Sequence, residues 1–279
     1  MHIGEVANEE QAARWNGLAG QGWVEMQEIL GSLFKPFEDL LVEAAAAKAP
    51  TSVLDIGCGT GITTLAVARQ LGAKTRCIGV DISEPMIAAA RDRAEREALP
   101  ASFVQADAQS YDFEPAGFDM IISRFGVMFF DDSIQAFANL RRAATGGGEL
   151  RFIAWRSADE NPFMTTAEQA AAPLLPNLPA RRPDEPGQFA FADRGRISAI
   201  LEESGWNEID IQPIDVVCTM PEKELIRYVT WLGPAATLLQ KMDDLSRKKV
   251  IETIRPAFDP YVHGIEVRFT AACWMVTAS

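Results

Sequence analysis

An apolar run that leads into three closely spaced glycines constrains the fold of this chain more than any other feature. Val53, Leu54 and Ile56 are suited to a buried strand. Residues 57–61 follow with the pattern Gly-x-Gly-x-Gly. Glycine allows a sharp turn and lets backbone N–H groups approach a ligand with no Cβ in the way. The pattern therefore predicts a strand that ends in a ligand-binding turn.

An acidic residue, Asp81, ends the next apolar run, residues 77–80, about 20 residues further along the chain. The carboxyl ends of neighbouring parallel strands lie at the same edge of a sheet, so the Asp81 carboxylate is expected beside the glycine turn. There it can accept hydrogen bonds from both hydroxyls of a ribose. The turn and the acid together point to a cofactor that contains a nucleoside.

Short apolar runs alternate with helical patterns from residue 51 to residue 155, which is typical of a parallel sheet covered by helices on both faces. The predicted strands are 52–56, 76–80, 102–104, 118–123 and 149–155. Ser83 is expected to cap the helix after the second strand. Glycines 146–148 are expected to turn the chain into the fifth strand.

The second half of the chain is less regular. Six prolines between residues 157 and 192 predict an irregular lid over the active-site edge: Pro162, Pro173, Pro176, Pro179, Pro183 and Pro186. Asp193 is a predicted N-cap of a helix that Gly205 ends. The pattern then predicts a strand at 208–212, helices between 225 and about 254, and a last strand at 265–277.

Residues 54–61 resemble the first motif of class I S-adenosylmethionine-dependent methyltransferases, and residues 81–86 and 104–108 resemble the family's second and third segments. The resemblance covers roughly residues 50 to 156 and is to the small-molecule members of the UbiE or methyltransferase-11 type. Nicotinamide and flavin proteins instead favour G-x-G-x-x-G, whose longer turn surrounds a pyrophosphate.

The resemblance implies an α/β fold, with a doubly wound, mostly parallel, seven-stranded sheet of the Rossmann-like type and helical cap insertions. Its seventh strand would run antiparallel beside the fifth. We expect a single domain over residues 1–279, with its core at about 46–156, 193–219 and 265–279. Cap or lid segments are expected at about 1–45, 157–192 and 220–264.

The resemblance also assigns the cofactor, S-adenosylmethionine, and its contacts. Gly57 and Gly59 would approach the methionine part, Asp55 would steady the loop and the amino group, and Asp81 would hold the ribose. The full set of expected cofactor residues is Asp55, Gly57, Cys58, Gly59, Gly61, Asp81, Ile82, Met86, Asp107, Ala108, Ser123, Arg124, Trp15 and Trp23. Three simpler interpretations stay open: Met86 as helix core, Asp107 as a turn residue and Asp81 as a helix-entry residue.

The segment from Trp15 to Trp23 holds two large rings and three glycines ahead of a helix expected at 24–33. Such a segment can fold over a pocket, where indole faces attract a sulfonium cation. The alternative is that Trp15 and Trp23 only anchor an N-terminal helix on the core.

Candidate substrate contacts follow the fourth and fifth strands: Phe125, Trp155, Arg156, Asn161 and Phe163. Ordinary packing explains these residues equally well. No catalytic residue is assigned, because methyl transfer from a sulfonium is an in-line displacement in which positioning supplies much of the rate. A general base is therefore optional.

Composition narrows the class of partner. The chain has 39 acidic and 26 basic residues, a net charge of −13 and a pI near 4.7, which oppose binding to nucleic acid. No run is long enough to span a bilayer and no secretory leader is visible, so we expect a cytoplasmic protein without membrane contact. Four isolated cysteines and two histidines give no metal site.

The leading hypothesis is metal-independent transfer of a methyl group to a small-molecule acceptor, which leaves S-adenosylhomocysteine. One alternative is a non-catalytic cofactor-binding or regulatory protein on the same fold. A nicotinamide-dependent reductase is a further alternative, which the length of the glycine turn disfavours. A monomer and a homodimer are both compatible with the sequence.

Overall fold

The computed structural model describes residues 8–178, 181–182 and 185–279. The acidic N-terminal residues 1–7 and two of the lid prolines, Pro179 and Pro183, lie outside the described residues.

A single mixed sheet organises the chain. Its strands are β1 (Ser52–Ile56), β2 (Arg76–Asp81), β3 (Ala101–Gln105), β4 (Phe118–Arg124), β5 (Ala144–Trp155), β6 (Asp210–Pro221), β7 (Val262–His263) and β8 (Glu266–Ala278). The strand order is β3-β2-β1-β4-β5-β8-β6, and the two-residue β7 pairs with β8 beside this path. The first five strands are parallel, and β8 runs antiparallel to both β5 and β6. The predicted fold class is confirmed, with β7 as a minor addition.

Twelve α-helices connect and cover the described strands. They are α1 (Glu9–Asn16), α2 (Leu18–Glu25), α3 (Gln27–Leu33), α4 (Lys35–Lys48), α5 (Ile62–Leu71), α6 (Glu84–Glu97), α7 (Ser133–Ala143), α8 (Pro162–Ala171), α9 (Arg194–Glu203), α10 (Leu225–Trp231), α11 (Pro234–Leu239) and α12 (Asp244–Ile254). Short 3₁₀ turns lie at Val127–Phe129, Glu222–Glu224 and Arg255–Tyr261. Asp193 caps α9 as predicted, since its side chain accepts a hydrogen bond from the N–H of Arg196.

The strand order fixes where a ligand can bind. All five residues of β1 are buried, as an apolar strand at the centre of the sheet requires. From β1 the chain moves outward to β2 and β3, and it then returns to place β4 on the other side of β1. The crevice at the carboxyl ends of β1 and β4 is therefore the topological switch point, where open α/β sheets bind their ligands.

Strand β5 begins at Ala144, five residues before the predicted start at Glu149. Its pairing with β4 jumps from Phe118–Ala144 to Met120–Glu149, so the intervening glycines form an irregular bulge. Strand β6 is also longer than predicted, because it pairs with β8 along its entire length. Pairing with a long neighbour extends a strand beyond what its own alternation shows.

The segment from Trp15 to Trp23, which precedes the helix expected at 24–33, is itself helical in α1 and α2. Its glycines serve close packing: a Cβ on Gly20 would overlap the Trp15 carbonyl oxygen, and one on Gly22 would overlap the Trp231 carbonyl oxygen. Ser83 makes no capping hydrogen bond. Its hydroxyl instead donates to the Trp15 carbonyl at 2.7 Å and joins α1 to the start of α6.

The predicted lid is not wholly irregular, since it contains α8. Pro162 occupies the first turn of this helix, where the missing backbone N–H has no partner to lose. The prolines alone therefore gave an incomplete picture of this segment.

The close contact at Gly20 gives a first prediction. Replacing a helical glycine by alanine normally stabilises a helix by about 1 kcal/mol. We expect Gly20→Ala to do the opposite and to lower the free energy of unfolding by about 1–3 kcal/mol, because the added methyl group overpacks the α1–α2 contact. Urea unfolding measures the change.

Gly147→Ala is the matched control, because a Cβ there has no atom within 4 Å. It should change the free energy of unfolding by less than about 0.5 kcal/mol. A Gly20→Ala protein that is more stable than the parent would show that the α1–α2 contact is not formed.

Candidate functional site

A cavity of about 1020 Å³ opens at the carboxyl ends of β1, β2 and β4. We call it the main cavity. Its walls come from α1 and α2, the glycine turn, the segment after β4, and helices α8, α10 and α11. Sites for small ligands are typically about 300–1,000 Å³, so the main cavity has room for two small molecules.

A much smaller space of about 30 Å³ adjoins the main cavity and shares with it Trp23, Leu30, Gly57, Gly59 and Arg124. We call it the side pocket. Its other walls include Gln27, Asp55, Cys58, Thr60 and Thr63.

The three glycines of the turn have different roles. Gly57, Gly59 and Gly61 all adopt positive φ, at 64°, 55° and 77°. A Cβ on Gly57 would lie 2.5 Å from Cα of Gly126, and one on Gly61 would lie 2.7 Å from the ring of Phe103. At Gly59 the nearest atom would be the Met86 sulfur at 3.6 Å. Close packing therefore requires glycine at Gly57 and Gly61, whereas Gly59 presents its backbone to the cavity.

Asp81 links the glycine turn to the start of α6. Its carboxylate accepts hydrogen bonds from the N–H of Gly59 at 2.8 Å and the N–H of Ser83 at 2.9 Å. Burial raises the pKa of Asp81, although these hydrogen bonds oppose the rise. The carboxylate lines the main cavity, and each of its oxygens can accept a further hydrogen bond.

Asp55 and Arg124 bring opposite charges to the side pocket. Asp55 is 1% exposed and accepts a hydrogen bond from the Thr64 hydroxyl at 2.6 Å. Burial raises its pKa to about 7, against the opposing effects of Thr64 and of the Arg124 charge. Burial also lowers the pKa of Arg124, and Glu38 and Asp55 oppose this change. A carboxyl and a guanidinium on one small pocket suit a ligand that carries both an ammonium and a carboxylate.

Unpartnered acceptors gather at the other end of the main cavity. Asp107 accepts hydrogen bonds from the Asn8 side chain at 3.3 Å and the N–H of Gln109 at 3.0 Å. Its second oxygen is buried without a partner, as are the side-chain oxygens of Asn8 and Gln11. Buried acceptors are costly unless a donor reaches them, so this end of the cavity suits a ligand that offers N–H groups.

Asn8 and Gln11 were missed by sequence reasoning. They lie three residues apart and both line the cavity, since residues at this spacing share a helix face. Polar residues at the start of an N-terminal helix carry no motif that could have identified them.

Several predicted residues line the main cavity: Trp15, Trp23, Ile82, Met86, Ala108, Phe125, Trp155 and Phe163. The edge of Trp15 meets Trp23 at 6.3 Å and Phe129 at 5.0 Å between ring centroids. Trp15 therefore both anchors α1 and forms part of the cavity wall. Phe125 holds a positive φ of 65°, which is rare for a non-glycine residue and typical of functional sites.

Other predicted residues are not among the described cavity walls. The Ser123 hydroxyl donates to the Ile56 carbonyl at 2.7 Å and accepts from the N–H of Gly126, so it holds β1 and β4 together. Gly61 packs inside the core. Cys58 lines only the side pocket, and burial raises the pKa of its thiol.

Arg156 and Asn161, which were expected to contact the acceptor, are not among the described residues that line the main cavity. The Arg156 guanidinium pairs with Glu160 and Asp215. Asn161 is 1% exposed, and its side chain exchanges two hydrogen bonds of 2.9 Å with the backbone of Ala272, which ties the start of α8 to β8. Both residues follow β5 as predicted, but their side chains stabilise the sheet edge.

The cap contributes polar residues that sequence reasoning also missed: Arg14, Glu168, Arg181 and Tyr228. Glu168 pairs with Arg181, and the Tyr228 hydroxyl meets the Met164 sulfur at 3.5 Å. Burial raises the pKa of the Tyr228 phenol, so it stays a proton donor at neutral pH. These residues come from separate cap elements without a motif.

Two features are absent from the described ranges of the chain. No group of three or more His, Cys, Asp or Glu residues that could hold a metal ion occurs there. None of the described helices combines the length and the apolar character that crossing a membrane requires.

Comparison with known proteins identifies the central part of the chain. Residues 53–148 match the model of a methyltransferase-domain family. A demethylmenaquinone methyltransferase of Thermus thermophilus is 37% identical over 109 residues, which are 39% of this chain and 49% of the relative. A ubiquinone/menaquinone biosynthesis C-methyltransferase UbiE of Marinomonas is 23% identical over 192 residues, 65% of this chain and 76% of the relative. The chain thus spans about half the length of the first relative.

Among solved structures, a phosphoethanolamine N-methyltransferase 2 of Haemonchus contortus in complex with S-adenosylmethionine is similar in fold. It superposes with a TM-score of 0.57 at 18% identity, over 100% of this chain and 61% of that structure. At this identity the likeness concerns the fold alone. The matched domain agrees with the resemblance of residues 54–61, 81–86 and 104–108 to class I S-adenosylmethionine-dependent methyltransferases.

Proposed function

We propose that this protein transfers a methyl group from S-adenosylmethionine to a small-molecule acceptor, without a metal ion, and releases S-adenosylhomocysteine. The main support for this proposal is that Asp55 and Arg124 line a side pocket next to Gly59 and Asp81. These four residues offer partners to the ammonium, the carboxylate and the ribose of one donor molecule. The relatives' names, which are those of quinone-pathway methyltransferases, support a small acceptor.

The residues along the sheet edge fit the donor. Asp55 would hold the ammonium and Arg124 the carboxylate of its amino-acid group at the side pocket. Asp81 would hold its ribose hydroxyls. Ile82 and Met86 would contact its adenine, and the unpartnered oxygens of Asp107 and Gln11 would accept hydrogen bonds from the adenine amino group.

The acceptor then occupies the rest of the main cavity, under the cap helices. Methyl transfer requires the sulfur, the methyl carbon and the acceptor atom in line, and rigid walls that hold both molecules supply much of the rate. The aromatic walls also exclude water, which strengthens interactions with the sulfonium charge. Tyr228 can position the acceptor by donating a hydrogen bond. A cytoplasmic location and the absence of nucleic-acid substrates remain part of this proposal.

A binding experiment tests the donor site. S-adenosylhomocysteine should bind the purified protein in titration calorimetry, whereas NADH should not. Asp81→Ala should weaken the binding of S-adenosylhomocysteine by about tenfold or more, because hydrogen bonds to a buried carboxylate are lost. Asp81→Asn keeps the shape of the side chain and separates lost hydrogen bonding from local unfolding.

Asp112→Ala is the control for this experiment, since its side chain is 94% exposed and pairs only with Arg142 among the described residues. It should leave the affinity unchanged. Unaltered binding in both Asp81 variants would contradict the proposed ribose contact.

A pH titration tests the side pocket. The pKa of Asp55 in the free protein is about 7, and a nearby donor ammonium lowers it by favouring the carboxylate. Binding below this pH therefore releases a proton. The affinity for S-adenosylhomocysteine should rise from about pH 5.5 towards pH 7 and then level off. Calorimetry in two buffers of different ionisation enthalpy measures the proton release.

Asp55→Asn should remove most of the pH dependence of binding. A smaller part should remain, because the pKa of Asp81 is also raised. The free protein offers a second readout. Its folded state holds a proton that the unfolded chain releases above the ordinary pKa of 3.8, so its stability falls as the pH rises towards 7. Asp55→Asn should reduce that fall. If the affinity of the Asp55→Asn protein for S-adenosylhomocysteine depends on pH as the parent's does, the donor ammonium does not bind at Asp55.

Turnover distinguishes an enzyme from a non-catalytic binding protein. We expect label from methyl-labelled S-adenosylmethionine to appear in at least one fraction of a small-metabolite extract, with an equal amount of S-adenosylhomocysteine. The Asp81→Ala variant is the matched control at the same donor concentration. Firm donor binding without label transfer to any fraction would favour the non-catalytic alternative.

A further inference from the structure

We propose, on the basis of the methyl transfer proposed above, that the acceptor is an aromatic acid whose carboxylate binds Arg14. The flat body of this acid would pack among the rings of the main cavity. Arg14 would then be a specificity-determining residue of the acceptor site.

Arg14 presents its guanidinium to the main cavity. It lies on α1 and lines the cavity, with its guanidinium carbon 5.4 Å from the ring centroid of Trp15 and 5.7 Å from that of Phe129. Within residues 8–178, 181–182 and 185–279 its guanidinium makes no hydrogen bond and no ion pair. Contact with the rings leaves the N–H groups of the guanidinium available, and these match the two oxygens of a carboxylate.

The other arginines of the cavity are already engaged. Arg181 pairs with Glu168 and Arg182 pairs with Glu185. Arg124 faces Asp55 across the side pocket and is assigned to the donor carboxylate. Arg14 does not line the side pocket, and the donor has no second anionic group. An anion at Arg14 therefore has to belong to the acceptor.

The charges around Arg14 favour an incoming anion. Burial and the neighbouring Arg181 lower the pKa of Arg14, while Glu10 opposes them. Two guanidinium groups in one wall repel each other, and a bound carboxylate relieves that repulsion.

The cavity walls indicate the shape of the acceptor. The aromatic side chains of the cavity wall include Trp23, Phe125, Trp155, Phe163, Tyr228 and Trp231. Phe125 and Trp155 stack with their planes 16° apart and their centroids 4.7 Å apart. A flat ring system packs against such walls in the offset-stacked and edge-to-face arrangements that aromatic groups prefer.

A matched pair of probes tests this inference. 2-Naphthoate and 2-naphthamide have the same shape and differ in charge. With the protein saturated by S-adenosylhomocysteine, the acid should bind about tenfold or more tightly than the amide, because a guanidinium–carboxylate pair outweighs a neutral contact. Arg14→Gln should abolish the preference by weakening the acid alone, and Arg14→Lys should retain part of it. Titration calorimetry gives both affinities.

Arg268→Gln is the control, because this exposed arginine pairs with Glu266 away from the cavity, and it should change neither affinity. Equal binding of the two probes, no acid binding at millimolar concentration, or an equal loss of both in Arg14→Gln would each overturn the inference. Lys241 also lines the cavity. A preference for the acid that survives in Arg14→Gln and is lost when Lys241 is replaced would overturn the inference as well. Failure of S-adenosylhomocysteine to bind would instead overturn the proposed function.

Discussion

The site depends on a backbone contact between the turns that follow β1 and β4. A Cβ on Gly57 would lie 2.5 Å from Cα of Gly126. The Ser123 hydroxyl also donates a hydrogen bond to the Ile56 carbonyl, which links β4 to β1. No side chain separates the two turns, so the crevice at the switch point begins directly at the backbone. This contact brings the Gly59 backbone, the Asp81 carboxylate and the side pocket together at one edge of the sheet.

The free protein carries an electrostatic cost at the same place. Burial raises the pKa of Asp55 to about 7, raises that of Asp81 and lowers that of Arg124, so each group is less stable in its charged form than in water. A ligand of complementary charge offsets this cost when it binds. The groups are already oriented, by Thr64 at Asp55 and by Gly59 and Ser83 at Asp81, so little further ordering is required.

The sequence was sufficient where local chemistry determines structure. The glycine turn, Asp81 and strand β1 were all predictable, because positive φ and a fully buried strand restrict the choice of residue. Asn161 and Arg156 were placed correctly after β5, yet position along a strand does not determine whether a side chain enters the cavity or bonds to a neighbouring strand. Gly20 and Gly22 were ambiguous for a different reason: glycine serves turns and close helix contacts equally well.

The two halves of the cavity are built differently, and this limits what a motif can show. Apart from Trp15, Trp23 and the α1 residues, the proposed donor contacts lie on the strand ends and adjoining turns between residues 53 and 148, which the family model covers. The acceptor walls come from α1, α8, α10 and the chain near Arg181, which meet only in the folded protein. A substitution at Arg14 or Tyr228 can therefore change the acceptor while the turn, Asp55 and Asp81 keep their hydrogen bonds. Under the proposed function, acceptor choice would follow from the cap, and cofactor choice would follow from the sheet edge.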